Sequence, residues 1–180
     1  MLKDACPADE FPGALFQLYQ AADFQKQPIV EGVSLFLYRI TISTSRRNLP
    51  PRTDPDGTRY RPPLPVDLHY LLSVWAKTPE KQHRLLGWSM RALEDVPILP
   101  AGLLNQLEPV PAFLPHETVE VICDPLSLGD LFDIWDILKP NVPLSMTYVA
   151  RFVTLDSKIP LSEYGPVQTR ELQFAGGPDA

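Results

Sequence analysis

The chain has 180 residues, of which 44% are hydrophobic and 21% charged, and its net charge is −6. This balance excludes a wholly disordered polymer and fits one packed domain; the negative charge argues against general nucleic-acid binding but leaves room for a local basic patch. No apolar run approaches the roughly 20 residues that cross a bilayer, so membrane insertion is not expected.

The opening residues, Met1-Leu2-Lys3-Asp4, show no basic stretch followed by an apolar core, and no signal peptide is expected. Cys6 and Cys123 are too few for a disulfide framework and lack metal-ligand spacing. They are expected as free thiols, Cys123 buried, in a reducing cytoplasm. The 21 prolines are more than twice the usual share of about 5%. They fall between apolar-patterned segments, so they predict rigid, well-defined connections.

In chain order, residues 14–20 form a short apolar-aromatic stretch that predicts a strand. Residues 33–44 (VSLFLYRITIST) are a stronger strand, rich in β-branched and aromatic residues. Strict alternation from Phe36 puts Phe36, Tyr38, Ile40 and Ile42 on one face, with Arg39, Thr41 and Ser43 on the other. Residues 66–76 (VDLHYLLSVWA) alternate too: Val66, Leu68, Tyr70, Leu72 and Val74 against Asp67, His69, Leu71, Ser73 and Trp75. Thr78-Pro79-Glu80 reads as a helix start, with Thr as N-cap, Pro in the first turn and an acid beside it. Leu85, Leu86, Ser89, Met90, Leu93 and Val96 then recur at helical spacing until Pro97 and Pro100. A linker follows, with a short helical or irregular piece at 102–107.

Residues 118–123 (TVEVIC) predict another strand. Ser127-Leu128-Gly129-Asp130 resembles a capping box with Asp in place of Glu, and opens a helix with Leu128, Leu131, Phe132, Trp135 and Leu138 on one face. Asp130, Asp133 and Asp136 make its opposite, solvated side. Residues 144–155 (LSMTYVARFVTL) predict a last strand alternating Leu144, Met146, Tyr148, Ala150 and Phe152. The expected fold is therefore α+β, with a mainly antiparallel sheet of about four to five strands and two main helices packed on one of its faces. Residues 1–155 are expected to form a single domain. Residues 156–180 are expected to be a partly extended or flexible C-terminal segment, fraying at Gly176-Gly177-Pro178.

The search for chemistry returns little. Gly87-Trp88-Ser89-Met90-Arg91 falls one glycine short of a nucleophile elbow and lies inside a helix. His69, His83 and His116 are scattered over a strand, a helix and a loop, without a second ligand at metal spacing, and read as isolated, partly exposed histidines. No phosphate-binding glycine loop or cofactor motif is present, so neither catalytic nor metal-binding residues nor a cofactor are assigned. What stands out is residues 45–65, a long excursion carrying Arg46, Arg47, Arg52, Arg59 and Arg61 among six prolines, with a turn at Asp56-Gly57. One reading pairs the arginines with nearby acids such as Asp54 and Asp56. The other makes the excursion a proline-stiffened arm that docks an acidic surface or another copy of the chain. DNA or RNA binding lacks stacking aromatics beyond Tyr60.

Taken together, VSLFLYRI (33–40), RRNLPPR (46–52), LPVDLHYLLSVWA (64–76), LLGWSMRALEDVPILPAGLLN (85–105), ETVEVICDPLSLGDLFDIWDIL (117–138) and LSMTYVARFV (144–153) stand in a specific order. This succession resembles the N-terminal domain of the cap, or tail-terminator, proteins of extracellular contractile injection systems of the Photorhabdus virulence cassette and antifeeding prophage type. The resemblance covers about residues 4–174. It implies a tail-terminator-like fold and a non-catalytic structural role: a six-fold ring of copies that closes the inner tube and engages the last layer of sheath, assembled in the cytoplasm. It implies sheath and inner-tube proteins as partners, and it carries over no contact residues one by one. Family members usually carry one more helix ahead of the segment that matches 2–7. The competing class is a monomeric protein-binding or regulatory domain without catalytic activity.

Overall fold

The computed structural model describes residues 1–26, 29–54, 56–107, 111–141 and 143–161. The expected fraying at 176–178 lies outside them. Their elements, in chain order, are α1 (Leu2–Ala5), β1 (Leu15–Tyr19), α2 (Ala21–Gln25), β2 (Gly32–Ile42), β3 (Arg52–Thr53), β4 (Arg59–Tyr60), β5 (Leu64–Trp75), α3 (Pro79–Asp95), β6 (Ile98–Pro100), α4 (Ala101–Leu104), a 3₁₀ turn at Asn105–Leu107, β7 (Thr118–Cys123), α5 (Leu128–Leu138) and β8 (Leu144–Leu155). The long apolar runs became the long strands, and the weak ones became short edge pieces.

One six-stranded sheet has the order β1-β2-β5-β8-β7-β6, and β3 and β4 form a separate hairpin. The class agrees with the expected α+β fold; the details do not. There are six strands where four to five were expected, because the proline-bounded residues Ile98–Pro100 pair with β7 as an edge strand. The sheet is not wholly antiparallel either. β1 runs parallel to β2, since the chain crosses through α2 before returning in the same direction.

The helices occupy both faces rather than one. α3 packs with Val33, Leu72, Val74 and Tyr148, whereas α5 sends Leu131, Ile134 and Leu138 onto Leu71 and Trp75. β5 explains this. Leu72 and Val74 point one way and Leu71 and Trp75 the other, all almost fully buried, so each face of the sheet needs its own cover.

Two β-bulges redirect side chains. The β2–β5 register shifts between Leu37 and Arg39, and the β5–β8 register between Val66 and Leu68. Because side chains alternate with period two, one extra residue moves everything beyond it to the other face. Ile40 and Ile42 therefore sit opposite Leu68 and Val66, on the α3 side, and not with Phe36 and Tyr38. Arg39 and Thr41 come instead to the α5 side beside His69. In β8 the bulge displaces Phe152 from the alternation, with φ at 67°, and Val153 takes the place opposite Val66.

Both main helices start where their caps predict. Thr78 Oγ1 accepts from the Lys81 amide at 3.3 Å, with Pro79 in the first turn. Ser127 Oγ accepts from the Asp130 amide at 3.2 Å and donates to the Asp130 carboxylate at 2.7 Å. Ser89, in the failed elbow, is fully buried and donates to the Leu85 carbonyl at 2.8 Å, which suits a small residue on a packing stripe. α5 departs from its expected stripe. Leu131, Ile134 and Leu138 face inward, while Leu128 and Phe132 are 73% and 60% exposed. The helix is apolar on more than one side, so spacing alone could not choose which side the sheet would cover.

Candidate functional site

The described residues of the arginine-proline excursion make specific contacts with one another and with the domain. Asp56 Oδ1 accepts from the Thr58 amide at 2.9 Å, and this turn, with Gly57 at φ +88°, joins the β3–β4 hairpin. Those hydrogen bonds hold the Asp56 carboxyl below its usual pKa. Beyond the hairpin, Tyr60 bridges to Pro160, and the Arg61 amide donates to the Ile159 carbonyl at 3.0 Å. The segment after β8 therefore straps the arm to the domain.

The five arginines divide. Arg52 is largely buried and pairs with Asp156 and, at 3.8 Å, with Glu117; these acids come from distant segments, not from Asp54 or Asp56. It anchors the arm. Arg46, Arg47, Arg59 and Arg61 are exposed and have no ion-pair partner among the described residues. Arg46 is held with its guanidinium 4.0 Å from the centroid of the Phe152 ring, a cation–π arrangement. The Arg151 guanidinium lies 5.1 Å from the same ring. Phe152 is thus the platform on which this basic surface is built, and its left-handed backbone at the bulge aims the ring there. Strict alternation had assigned it to the opposite face.

Beside the arm lies a cleft of about 520 Å³ whose walls include Arg46, Pro50, Pro51, Pro63, His116 and Phe152. A second cavity, of about 490 Å³, is nearly all apolar and lies on the α3 side. Gln17 and Leu18 of edge strand β1 and Leu99 of edge strand β6 both line it, above Leu68, Tyr70 and Ala150. α3 covers only part of that face, and Ile40, Ile42, Leu64 and Leu155 continue it as exposed apolar residues. Contiguous apolar surface of this kind marks contact with another molecule.

His69 is the one histidine with a constructed environment. It is 7% exposed, which corrects the expectation of partly exposed histidines; His83 and His116 are exposed. Its Nε2 is 3.0 Å from Thr41 Oγ1, and its Nδ1 lies 3.5 Å from both Arg39 Nη2 and Asp124 Oδ2. The Tyr38 ring is 6.0 Å away. Burial lowers the His69 pKa, Arg39 lowers it further, and Asp124 and Asp67 oppose the shift. A histidine held neutral in this way contributes stability that is complete above its unfolded value of 6.5 and is lost as pH falls through the lowered folded value. The gap in urea midpoint between wild type and His69→Gln is accordingly expected to shrink between pH 7.5 and pH 5. A gap that stays constant over that range would show that His69 titration does not contribute.

Cys6 and Cys123 are free and half-buried, and burial raises both thiol pKa values. Cys123 is less enclosed than expected. Among the described residues, no three His, Cys, Asp or Glu side chains are grouped to hold a metal ion, and no helix is long and apolar enough to cross a membrane.

The described residues form an α+β domain whose exposed surface is apolar on one side of the sheet and cationic at one end. The chain belongs to the Pvc16 N-terminal domain family, whose model matches residues 16–169. Its fold is similar to the PVC sheath/tube terminator of an extracellular contractile injection system in the extended state, with a TM-score of 0.58 and 18% identity over 93% of this chain and 58% of that one. It is also similar to the tube-terminating cap of the anti-feeding prophage, with a TM-score of 0.52 and 17% identity over 93% of this chain and 57% of that one. This chain spans less than two thirds of the length of either. No curated protein matches it.

Proposed function

We propose that the chain is a terminator, or cap, of a phage-tail-like contractile injection particle, closing the inner tube and anchoring the distal end of the sheath. The observation that carries this reading is the family match over residues 16–169, reinforced by the shared fold of two solved terminators. The work is structural and needs no catalysis. Copies assemble in the cytoplasm as a ring of six on the end of the particle, with sheath and inner-tube proteins as the other partners. Residues 1–155 form the working domain, and the segment just after β8 holds its arm through Asp156, Ile159 and Pro160. Arg46, Arg47, Arg59 and Arg61 supply contacts with neighbours, and Arg52 holds the arm in place for them.

The test uses particles assembled with altered chains. Changing Arg46, Arg47 and Arg61 together to Ser removes exposed charge and the Arg46–Phe152 cation–π contact, so stability should fall by no more than about 1 kcal/mol. The fraction of particles carrying the protein at their end should fall several-fold. Arg52→Ser is the structural control: it strips the partner from Asp156 and Glu117 and should destabilise the arm. Normal tube and sheath lengths, with the triple variant bound at the end, would remove the arm from the contact. Normal lengths in particles made without the chain would remove the terminator role.

A further inference from the structure

We infer that the cationic arm and its cleft receive helix α5 of a second copy of this chain. The inference rests on the cap reading and assigns a partner to the arm. α5 exposes Leu128, Phe132 and Ile137, each at least 60% exposed, together with the carboxylates of Asp133 and Asp136, the latter paired with Lys139. Phe132 stands edge-on to Trp135 with ring centroids 5.6 Å apart, so its ring is a braced projection. The arm offers the complement: a cleft lined by Phe152, His116 and three prolines, large enough for such a ring, with the exposed guanidinium of Arg46 at its wall and exposed Arg47 next to it in sequence.

Charge selects the partner. On a chain of net charge −6 the arm is the minority sign, and a copy of the chain supplies the acidic, apolar surface at equal concentration. Aromatic and arginine anchors suit the centre of an interface, and opposite potentials fix its register. The chain does not satisfy this pairing internally. α5 packs on Leu71 and Trp75, whereas the arm leaves the sheet at the Leu64–Val66 end of the same strand; at about 3.3 Å per residue, Leu64 and Leu71 are about 23 Å apart. Ion pairs need contact within about 4 Å.

The experiment traps the contact in the full chain. With Cys6 and Cys123 changed to Ser, one population carries Asn48→Cys at the arm and a second, differently tagged, carries Ile137→Cys on α5. Mild oxidation of the mixture should give heterodimers well above the homodimers of either population alone. Arg46→Glu with Arg47→Glu should cut the heterodimer yield about tenfold or more, and Asp133→Lys with Asp136→Lys on the other population should restore it. Equal hetero- and homodimer yields, or a yield indifferent to the charge swap, would overturn the contact. A chain carrying both cysteines reports closure: an extended ladder supports head-to-tail assembly, whereas a product that stops at dimers keeps the contact and counts against the ring. If the arm charge reversal strips the protein from particles while no heterodimer forms, the cap reading stands and the partner is sheath or tube.

Discussion

Alanine at position 32 is expected to detach the edge of the sheet. Gly32 opens β2 with φ at +145°, a conformation that side-chain-bearing residues avoid. A Cβ there would lie 2.7 Å from the Leu15 amide nitrogen and 2.8 Å from its carbonyl carbon, and closer still to the carbonyl oxygen. All three are backbone atoms of the neighbouring strand, so no flexible side chain can yield. Relief requires β1 to move off β2, and the parallel pairing of Leu15–Tyr19 with Gly32–Phe36 goes with it. The combined backbone strain and lost packing should cost about 3–5 kcal/mol, at the severe end for one methyl group. A shifted urea midpoint, with amide protection lost first across Leu15–Tyr19, is the expected result. A variant with wild-type midpoint and a protected β1 would show that the sheet edge accommodates a side chain at this position.

Phe24→Ala should be comparably severe for a different reason. Phe24 is fully buried, and its ring lies 5.2 Å from Tyr19, 5.6 Å from Phe36 and 6.0 Å from Trp75. Truncating a phenylalanine in such a position removes transfer free energy and leaves a cavity, typically about 3–5 kcal/mol. Against a total stability of about 5–15 kcal/mol, that is a large fraction. Trp75 reports the cavity directly through its fluorescence, and Phe24→Leu should recover much of the loss. A loss below about 1 kcal/mol would mean that the cluster closes over the gap. Because Gly32 and Phe24 both hold β1 and α2 to the sheet, the double variant should lose less than the sum of the two.

Both predictions bear on function through Leu18 and Gln17, which β1 places at the rim of the apolar cavity. Loosening that edge dismantles one wall of the apolar cavity on the α3 side while leaving the arm at the far end strapped by Arg52, Asp156 and the Tyr60–Pro160 bridge. The separation lets edge and arm be tested independently for their share in assembly.

Much of the architecture was legible in the residues. The strands at 118–123 and 144–155 and the helix starts at Thr78 and Ser127 follow from alternation and capping, which are local properties. The arm was legible as an arginine-rich excursion with a turn at Asp56-Gly57, and the family was legible in the order of its blocks. The arm's internal division was not. Arg52 looks like its neighbours in sequence, and only folding brings it to Asp156, 104 residues away. Phe152 was assigned to the wrong face, because nothing in LSMTYVARFVTL marks where a bulge will fall.

By itself, then, the sequence determined the kinds and order of the main elements, the balance of apolar and charged residues, and the family. These rest on interactions within a few residues, where pattern and conformation correspond closely. Only the tertiary structure decided that β1 runs parallel, that α3 and α5 lie on opposite faces, that Ile40 and Ile42 join the α3 side, and that Leu128 and Phe132 remain outside. Each of these choices depends on which distant strand supplies the partner. A helix or strand that is apolar on more than one side is compatible locally with several answers, and packing selects one of them.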